Sequence, residues 1–174
     1  MKGAAISALG CVLCCMWSVG SALAQQAEIS VAEQQDLMRA LSEGNTSPPD
    51  MIRALEAHLA RYPNTPQRPE VERALAKAAV DSNDLPRIAK YGESVAATAS
   101  GDFLLMDRLA YSFLMLGGKD NAAKAYKYAR AFEELVAAMP VATGRDATRR
   151  QDEQERAASH ALLYQSRART IMNE

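Results

Sequence analysis

Cysteine is absent from all but the beginning of this sequence. The three cysteines, Cys11, Cys14 and Cys15, lie within the first 24 residues, together with the single tryptophan, Trp17. Beyond this segment the chain can form no disulfide, no thiolate nucleophile and no cysteine metal site. The rest of the protein must therefore be held together by its hydrophobic core alone.

An excess of charge of either sign is also missing. The 174 residues include 20 Lys and Arg against 21 Asp and Glu, which is a formal net charge of −1. A nucleic-acid-binding domain normally carries a basic face or stripe, and an acidic tail carries a run of like charges. We therefore expect no nucleic-acid partner and no charged disordered tail.

Residues 1–24 contain the three parts of a secretory signal peptide. Lys2 is followed by a long uncharged stretch, and the small residues Ala22 and Ala24 frame Leu23 before Gln25. The short basic start and the Ala-rich centre are typical of bacteria. We predict cleavage after Ala24 and export of residues 25–174 to the periplasm or the exterior, with no membrane span after cleavage.

Two other interpretations of this segment stay open. The uncharged stretch over 3–23 is long enough to span a bilayer as an uncleaved anchor. A lipoprotein signal is the other, because Ala8-Leu9-Gly10 precedes Cys11.

The mature chain carries the pattern of an all-α protein. Apolar residues recur at helical spacing, and no alternating run is typical of a strand. Segments rich in Gly, Pro, Asn and Ser divide the pattern, and Ser47, Asn83 or Asp84, Asp102 and Asp120 are suited to begin helices as N-caps. The pattern predicts about seven helices, near residues 30–43, 49–61, 69–81, 85–98, 103–116, 121–139 and 147–172.

A regular period runs through these helices. Leu41, Leu75 and Leu109 recur at a constant 34-residue spacing, and Ala54, Ile88 and Ala122 recur at the same spacing. One set falls in the first helix of each pair and the other in the second helix, which is typical of a repeat protein.

Paired helices with this period resemble the tetratricopeptide repeat (TPR) family. The best copy spans 104–140, with Met106 in place of the usual Trp and with a late closing Pro140, and in the second copy Gly92 replaces an aromatic residue. The other matching residues of the best copy are Leu109, Ala110, Phe113, Gly117, Ala122, Tyr126 and Ala129.

The resemblance implies antiparallel helix pairs stacked as a short right-handed TPR-like α-solenoid. The repeats would lie near 30–64, 66–99 and 102–140, and 146–174 would begin a further repeat. Stacked repeats share one continuous core. The residues expected in that core are Leu75, Ala79, Leu109, Phe113, Ala122, Tyr126 and Ala129.

The residues that catalysis requires are few. His58 and His160 lie in predicted helices without a partner at zinc-protease spacing. Gly92-Glu93-Ser94-Val95-Ala96 lacks the final glycine of a hydrolase nucleophile turn. No phosphate loop, dinucleotide fingerprint or calcium loop is present. We predict no enzyme, no cofactor and no metal site.

The resemblance also implies a concave groove lined by the first helix of each pair. The groove positions of the family fall on Leu104, Asp107, Tyr111 and Leu114 in the best copy, and on Glu70, Arg73, Lys77 and Val80 in the second. Leu104 and Leu114 fit the core equally well. The residues predicted to contact a partner are Arg73, Lys77, Asp107, Tyr111 and Leu114, of which Tyr111 is the strongest candidate.

We therefore expect a non-catalytic protein-interaction scaffold of the bacterial cell envelope that binds a peptide or a partner helix in its groove. The alternative is a regulatory or substrate-presenting N-terminal part of a longer enzyme. The last predicted helix has an apolar face with no helix after it, so self-association through that helix is a further expectation. A plain helical bundle without stacked repeats is the third possibility.

Overall fold

The computed structural model describes residues 29–44, 47–98, 101–141 and 143–173, and these ranges contain seven α-helices and no strand. The prediction of an all-α chain with about seven helices is confirmed for this part of the chain. The signal peptide predicted over 1–24 lies outside the described residues. In chain order the helices are α1 (Val31–Gly44), α2 (Pro48–Arg61), α3 (Arg68–Asp81), α4 (Leu85–Ala96), α5 (Phe103–Leu116), α6 (Lys119–Ala137) and α7 (Ala147–Asn173).

Three of the predicted N-caps begin their helices. The side chains of Ser47, Asp84 and Asp102 each accept a hydrogen bond from the backbone N–H three residues later, which would otherwise lack a partner. The prediction for Asp120 is wrong, because α6 begins one residue earlier. Gly117 and Gly118 both have positive φ angles, 70° and 83°, so the chain turns at these two glycines and the helix follows directly.

The helices pack in the order in which they occur along the chain. Each helix from α1 to α6 contacts the next one, and α5 also contacts α7. Within the described ranges, no helix combines the length and the hydropathy needed to cross a bilayer.

Most of the predicted core is buried. Tyr126 was expected in the core but is only half-buried, and its hydroxyl accepts a hydrogen bond from the exposed Arg169. Tyr128, two residues later, is buried. The other six predicted core residues are buried: Leu75, Ala79, Leu109, Phe113, Ala122 and Ala129.

The 34-residue period does not extend to the first pair of helices. Leu75 and Leu109 are fully buried, whereas Leu41 is 41% exposed. In the second set Ile88 and Ala122 are buried, whereas Ala54 is half-buried. Leu41 and Ala54 therefore share the spacing of these residues but not their degree of burial.

A second period links α2, α4 and α6 through polar side chains. In each of two sets, a glutamate accepts hydrogen bonds from a cation and a tyrosine of the second helix after its own: α2 binds α4, and α4 binds α6. Each residue of the second set lies 37 residues after its counterpart in the first. The sets are Glu56 with Arg87 and Tyr91, and Glu93 with Lys124 and Tyr128.

Candidate functional site

A cavity of about 370 Å³ lies between α3 and α5. Aliphatic side chains form most of its wall, and charged side chains stand at its rim. We call this cavity the α3–α5 groove. Its lining residues are Arg73, Ala76, Lys77, Val80, Asp81, Val95, Asp102, Leu104 and Leu105. Two of the predicted contact residues, Arg73 and Lys77, therefore share one depression in the surface.

Some of the charged side chains at the rim of the α3–α5 groove have a partner among the residues that the structure describes, and one has none. Lys77 Nζ lies 2.6 Å from Asp81 Oδ2 and is paired within its own helix. Asp102 accepts the hydrogen bond that caps α5. Arg73 is exposed and forms no ion pair with the described residues. The groove therefore offers one unpaired guanidinium beside an aliphatic wall.

Tyr111 and Asp107 lie on the side of α5 that faces α7. The Tyr111 and Tyr164 rings are 6.3 Å apart, and the His160 ring is 6.0 Å from that of Tyr164. Burial, together with the neighbouring Asp107 carboxylate, raises the pKa of Tyr164 to about 12, since both disfavour the phenolate. We call Tyr111, Tyr164 and His160 the α5–α7 ring cluster.

The structure separates the two leucines that the sequence analysis left undecided. Leu114 is 8% exposed and packs in the core, where it is not available to a partner. Leu104 is 49% exposed and lines the α3–α5 groove. The predicted contact residues thus divide into the groove pair Arg73 and Lys77, the α7-facing pair Asp107 and Tyr111, and a core residue.

Arg108 and Tyr164 are residues that the sequence analysis missed. Arg108 Nε and Asp107 Oδ1 are buried and have no hydrogen-bond partner in the described part of the chain. Buried polar atoms are normally paired with protein, water or ligand, and these two belong to residues that act on Tyr164. No sequence signal identified Tyr164, because its contact with α5 spans 53 residues.

A buried carboxylate–histidine pair lies away from the groove, between α1 and α2. Asp36 Oδ2 is 3.0 Å from His58 Nδ1, and Arg61 also binds this carboxylate. The His58 hydrogen bond, with help from Arg61 and Arg39, lowers the pKa of Asp36 despite the opposing effect of burial. Helical spacing could not predict the pair, since its members lie 22 residues apart.

Among the described residues, no group of three or more His, Cys, Asp or Glu side chains converges to hold an ion.

No family model, curated protein or solved structure matches this chain. The function must therefore be inferred from the geometry of the groove and of the ring cluster.

Proposed function

We propose that this chain is a non-catalytic binding module of the bacterial cell envelope, and that its α3–α5 groove holds a peptide or a partner helix. The observation that carries the proposal is the joint lining of this groove by Arg73, Lys77 and the exposed Leu104. A cleft with an apolar wall and a few placed polar groups is typical of peptide recognition.

The scaffold in this proposal is a short right-handed TPR-like α-solenoid. Ring contacts between α5 and α6 support antiparallel packing. Phe103 at the start of α5 contacts Phe132 near the end of α6, with ring centroids 5.1 Å apart. Phe113 near the end of α5 lies under Lys124 near the start of α6. Helices that run in opposite directions make this pattern of contacts.

Hydrogen bonds between α6 and α7 support a second reversal of direction. Gln154 near the start of α7 donates to the Val136 carbonyl near the end of α6. Arg169 near the end of α7 donates to Tyr126 in the first half of α6. The contact between α5 and α7 supports the stacking of successive first helices that this proposal requires.

The envelope location rests on the signal peptide predicted over 1–24. Its cleavage after Ala24 predicts that the exported protein begins at Gln25. N-terminal sequencing of protein recovered from the periplasmic fraction tests this directly. A start at Met1 in the membrane fraction would favour the uncleaved anchor.

The second candidate function is a regulatory or substrate-presenting part of a longer enzyme. Leu162 and Leu163 on α7 are 56% and 45% exposed, so a further helix, another domain or a second copy has an apolar surface to cover. Light scattering across a range of concentrations separates these cases. A growing mass favours self-association through α7, whereas a constant monomer mass leaves the surface to another domain.

Photocrosslinking tests the groove itself. A photoreactive phenylalanine in place of Lys77 would lie at the rim of the groove, and the same residue in place of Lys127 on the exposed side of α6 is the matched control. We expect a discrete adduct of defined mass at position 77 only. We also expect Arg73→Glu to reduce its yield, since the substitution reverses the charge of the unpaired guanidinium. Equal adducts at both positions would contradict the proposal.

A further inference from the structure

Helix α1 leaves three large apolar side chains exposed to solvent, although two of its acidic side chains are buried. Val31, Met38 and Leu41 are 71%, 64% and 41% exposed. Glu33 and Asp36 are 8% and 6% exposed. A helix at the surface of a protein normally has the opposite pattern. The exposed apolar face of α1 therefore calls for an explanation.

One explanation is that a further helix packs on the side of α1 that faces away from α3, which we call its outer side. The register of the helices argues against this explanation. Leu105 and Leu109 are the α5 residues that pack against α4, within 3.1 Å of where a Cβ on Gly92 would lie. Val71 and Leu75 hold the same places in α3, one 34-residue period earlier, and both are buried.

The corresponding places in α1 follow from the contacts within each pair. Asp36 reaches α2 through His58, and Glu72 reaches α4 through Ser94, so these two residues are equivalent at a spacing of 36. Ala40 and Ala76, four residues later, are both buried. This register matches Val71 and Leu75 with Gln35 and Arg39, which are exposed. The outer side of α1 is thus polar, as at the end of an array.

The same register places the apolar face of α1 beside the groove. Leu41 corresponds to Lys77 of α3 and, one 34-residue period further, to Tyr111 of α5. Met38 corresponds by the same steps to Ala74 and Arg108. Residues at equal helical offsets from equivalent contacts point to the same side. Met38 and Leu41 therefore lie on the side that carries Lys77 and Tyr111.

We propose that the groove extends from α5 across α3 onto α1, and that its occupant is an extended segment with an acidic side chain between two aliphatic ones. This inference rests on the proposed function and names the chemistry of its partner. One aliphatic side chain packs on Met38 and Leu41, the acid meets the unpaired Arg73, and the second aliphatic side chain packs on Leu104.

The spacing of the helices sets the spacing of that segment. A helix with its side chains is about 10–12 Å across, and this width sets the distance from α1 to α3 and from α3 to α5. An extended chain advances about 3.3 Å per residue, so about three residues separate successive contacts. The partner pattern is an aliphatic residue, an acid about three residues later, and a second aliphatic residue after about three more.

A designed peptide tests this pattern against the full chain. The probe is a fluorescein-labelled peptide with Leu, Glu and Leu at three-residue intervals in a Ser/Gln background. In two one-anchor peptides, one Leu or the other is replaced by Ser. Fluorescence anisotropy measures Kd for the wild type, Met38→Ser/Leu41→Ser and Arg73→Glu. Leu162→Ser/Leu163→Ser is the matched control, since it removes two exposed aliphatic side chains from α7 instead.

We expect the α1 variant to weaken binding of the two-anchor peptide about tenfold, the size of losing one buried aliphatic contact. It should leave one of the one-anchor peptides unaffected, because that peptide no longer reaches α1. The α7 control should bind like the wild type, with melting curves that show all variants folded. This result would support the extension of the groove.

Three outcomes would overturn the inference. If only Arg73→Glu weakens binding, the extension onto α1 is wrong while the groove proposal stands. If the α7 control weakens binding as much as the α1 variant does, the effect is not specific to α1. If the wild type binds none of the peptides, both the extension and the α3–α5 groove proposal fail for this class of partner.

Discussion

The first and third helix pairs are held together by opposite kinds of contact. Between α1 and α2, the buried carboxylate of Asp36 binds His58, which is 1% exposed, and Arg61. Between α5 and α6, rings pack on rings: Phe113 and Tyr128 are stacked with centroids 5.8 Å apart. The first pair adds matched polar groups to the buried aliphatic side chains of Ala40, Ile52 and Leu55, whereas the third relies on apolar area.

The difference indicates which helix pair is stable over a wide pH range and which is sensitive to pH. Burial of aliphatic and aromatic area stabilises a pair over a wide pH range, because it requires no particular protonation state. A buried carboxylate stabilises its pair only while its partners remain in place, because an unpaired buried charge is costly. We therefore expect a fall in pH to open α1 before the helices of the third pair.

Removal of a central ring from the third pair should have the largest effect. Phe132 is 1% exposed and contacts Phe103. Phe132→Ala leaves a cavity and should lower the free energy of unfolding by about 3–5 kcal/mol. Urea denaturation followed by circular dichroism measures the loss. A loss below that caused by a substitution in the α1–α2 contact would reverse the comparison.

Removal of the carboxylate from the first pair should have the next largest effect. Asp36→Ala leaves the buried His58 ring without its partner and should cost about 1–3 kcal/mol. Asp36→Asn, which keeps the shape of the side chain and can still hydrogen-bond, is the control and should cost less. Equal stability of Asp36→Ala and the wild type would show that the polar contact contributes nothing.

Acid should loosen the first pair before the third. The pKa of Asp36 is lowered below its ordinary value of 3.8, chiefly by the His58 hydrogen bond, with Arg61 and Arg39 also facing the carboxylate. A lowered pKa contributes stability above the unfolded value, and this stability is lost as pH falls through the folded value. Amide hydrogen exchange between about pH 5 and pH 2 should show α1 opening before α5. Simultaneous opening of both helices would contradict this order.

The smallest effect concerns the link between the third pair and α4. Glu93 forms a partly exposed ion pair with Lys124 at 2.7 Å and accepts a hydrogen bond from the buried Tyr128. Glu93→Gln should cost only about 0.2–1 kcal/mol, the usual worth of an exposed ion pair.

A spectroscopic readout makes this small change visible. The pKa of Tyr128 is raised to about 12 by burial and by the Glu93 charge. Without that charge the tyrosine should ionise at a lower pH in an ultraviolet titration, although stability hardly changes. An unchanged titration would show that burial alone sets the pKa. Glu56→Gln, the equivalent change 37 residues earlier, is the matched comparison.

Much of the helical fold could be predicted from local patterns. The caps at Ser47, Asp84 and Asp102 depend on residues three positions apart, so they are legible in a sequence. The 34-residue spacing correctly relates Leu75 to Leu109, because α3 and α5 bury these residues in the same kind of packing environment. The spacing did not predict the exposure of Leu41, because α1 packs on α2 in a register shifted by two residues from that period.

The groove was predictable only in part. Arg73 and Lys77, which the resemblance assigned to one groove, line the same cavity. Leu114 is a core residue, and Met38 of α1 was not predicted at all. Helical periodicity states which residues share a face but not which neighbour that face meets, so it could not separate Leu104 from Leu114.

The sequence by itself determined where the helices begin and end, since caps, glycines and apolar spacing act within a few residues of each other. Only the tertiary structure decided that Asp36 meets His58, that glutamates pair with tyrosines 35 residues away, and that α1 leaves Met38 and Leu41 exposed. These contacts depend on how whole helices are rotated and shifted against one another. Such rotations follow from packing over the entire array, which no short stretch of sequence contains.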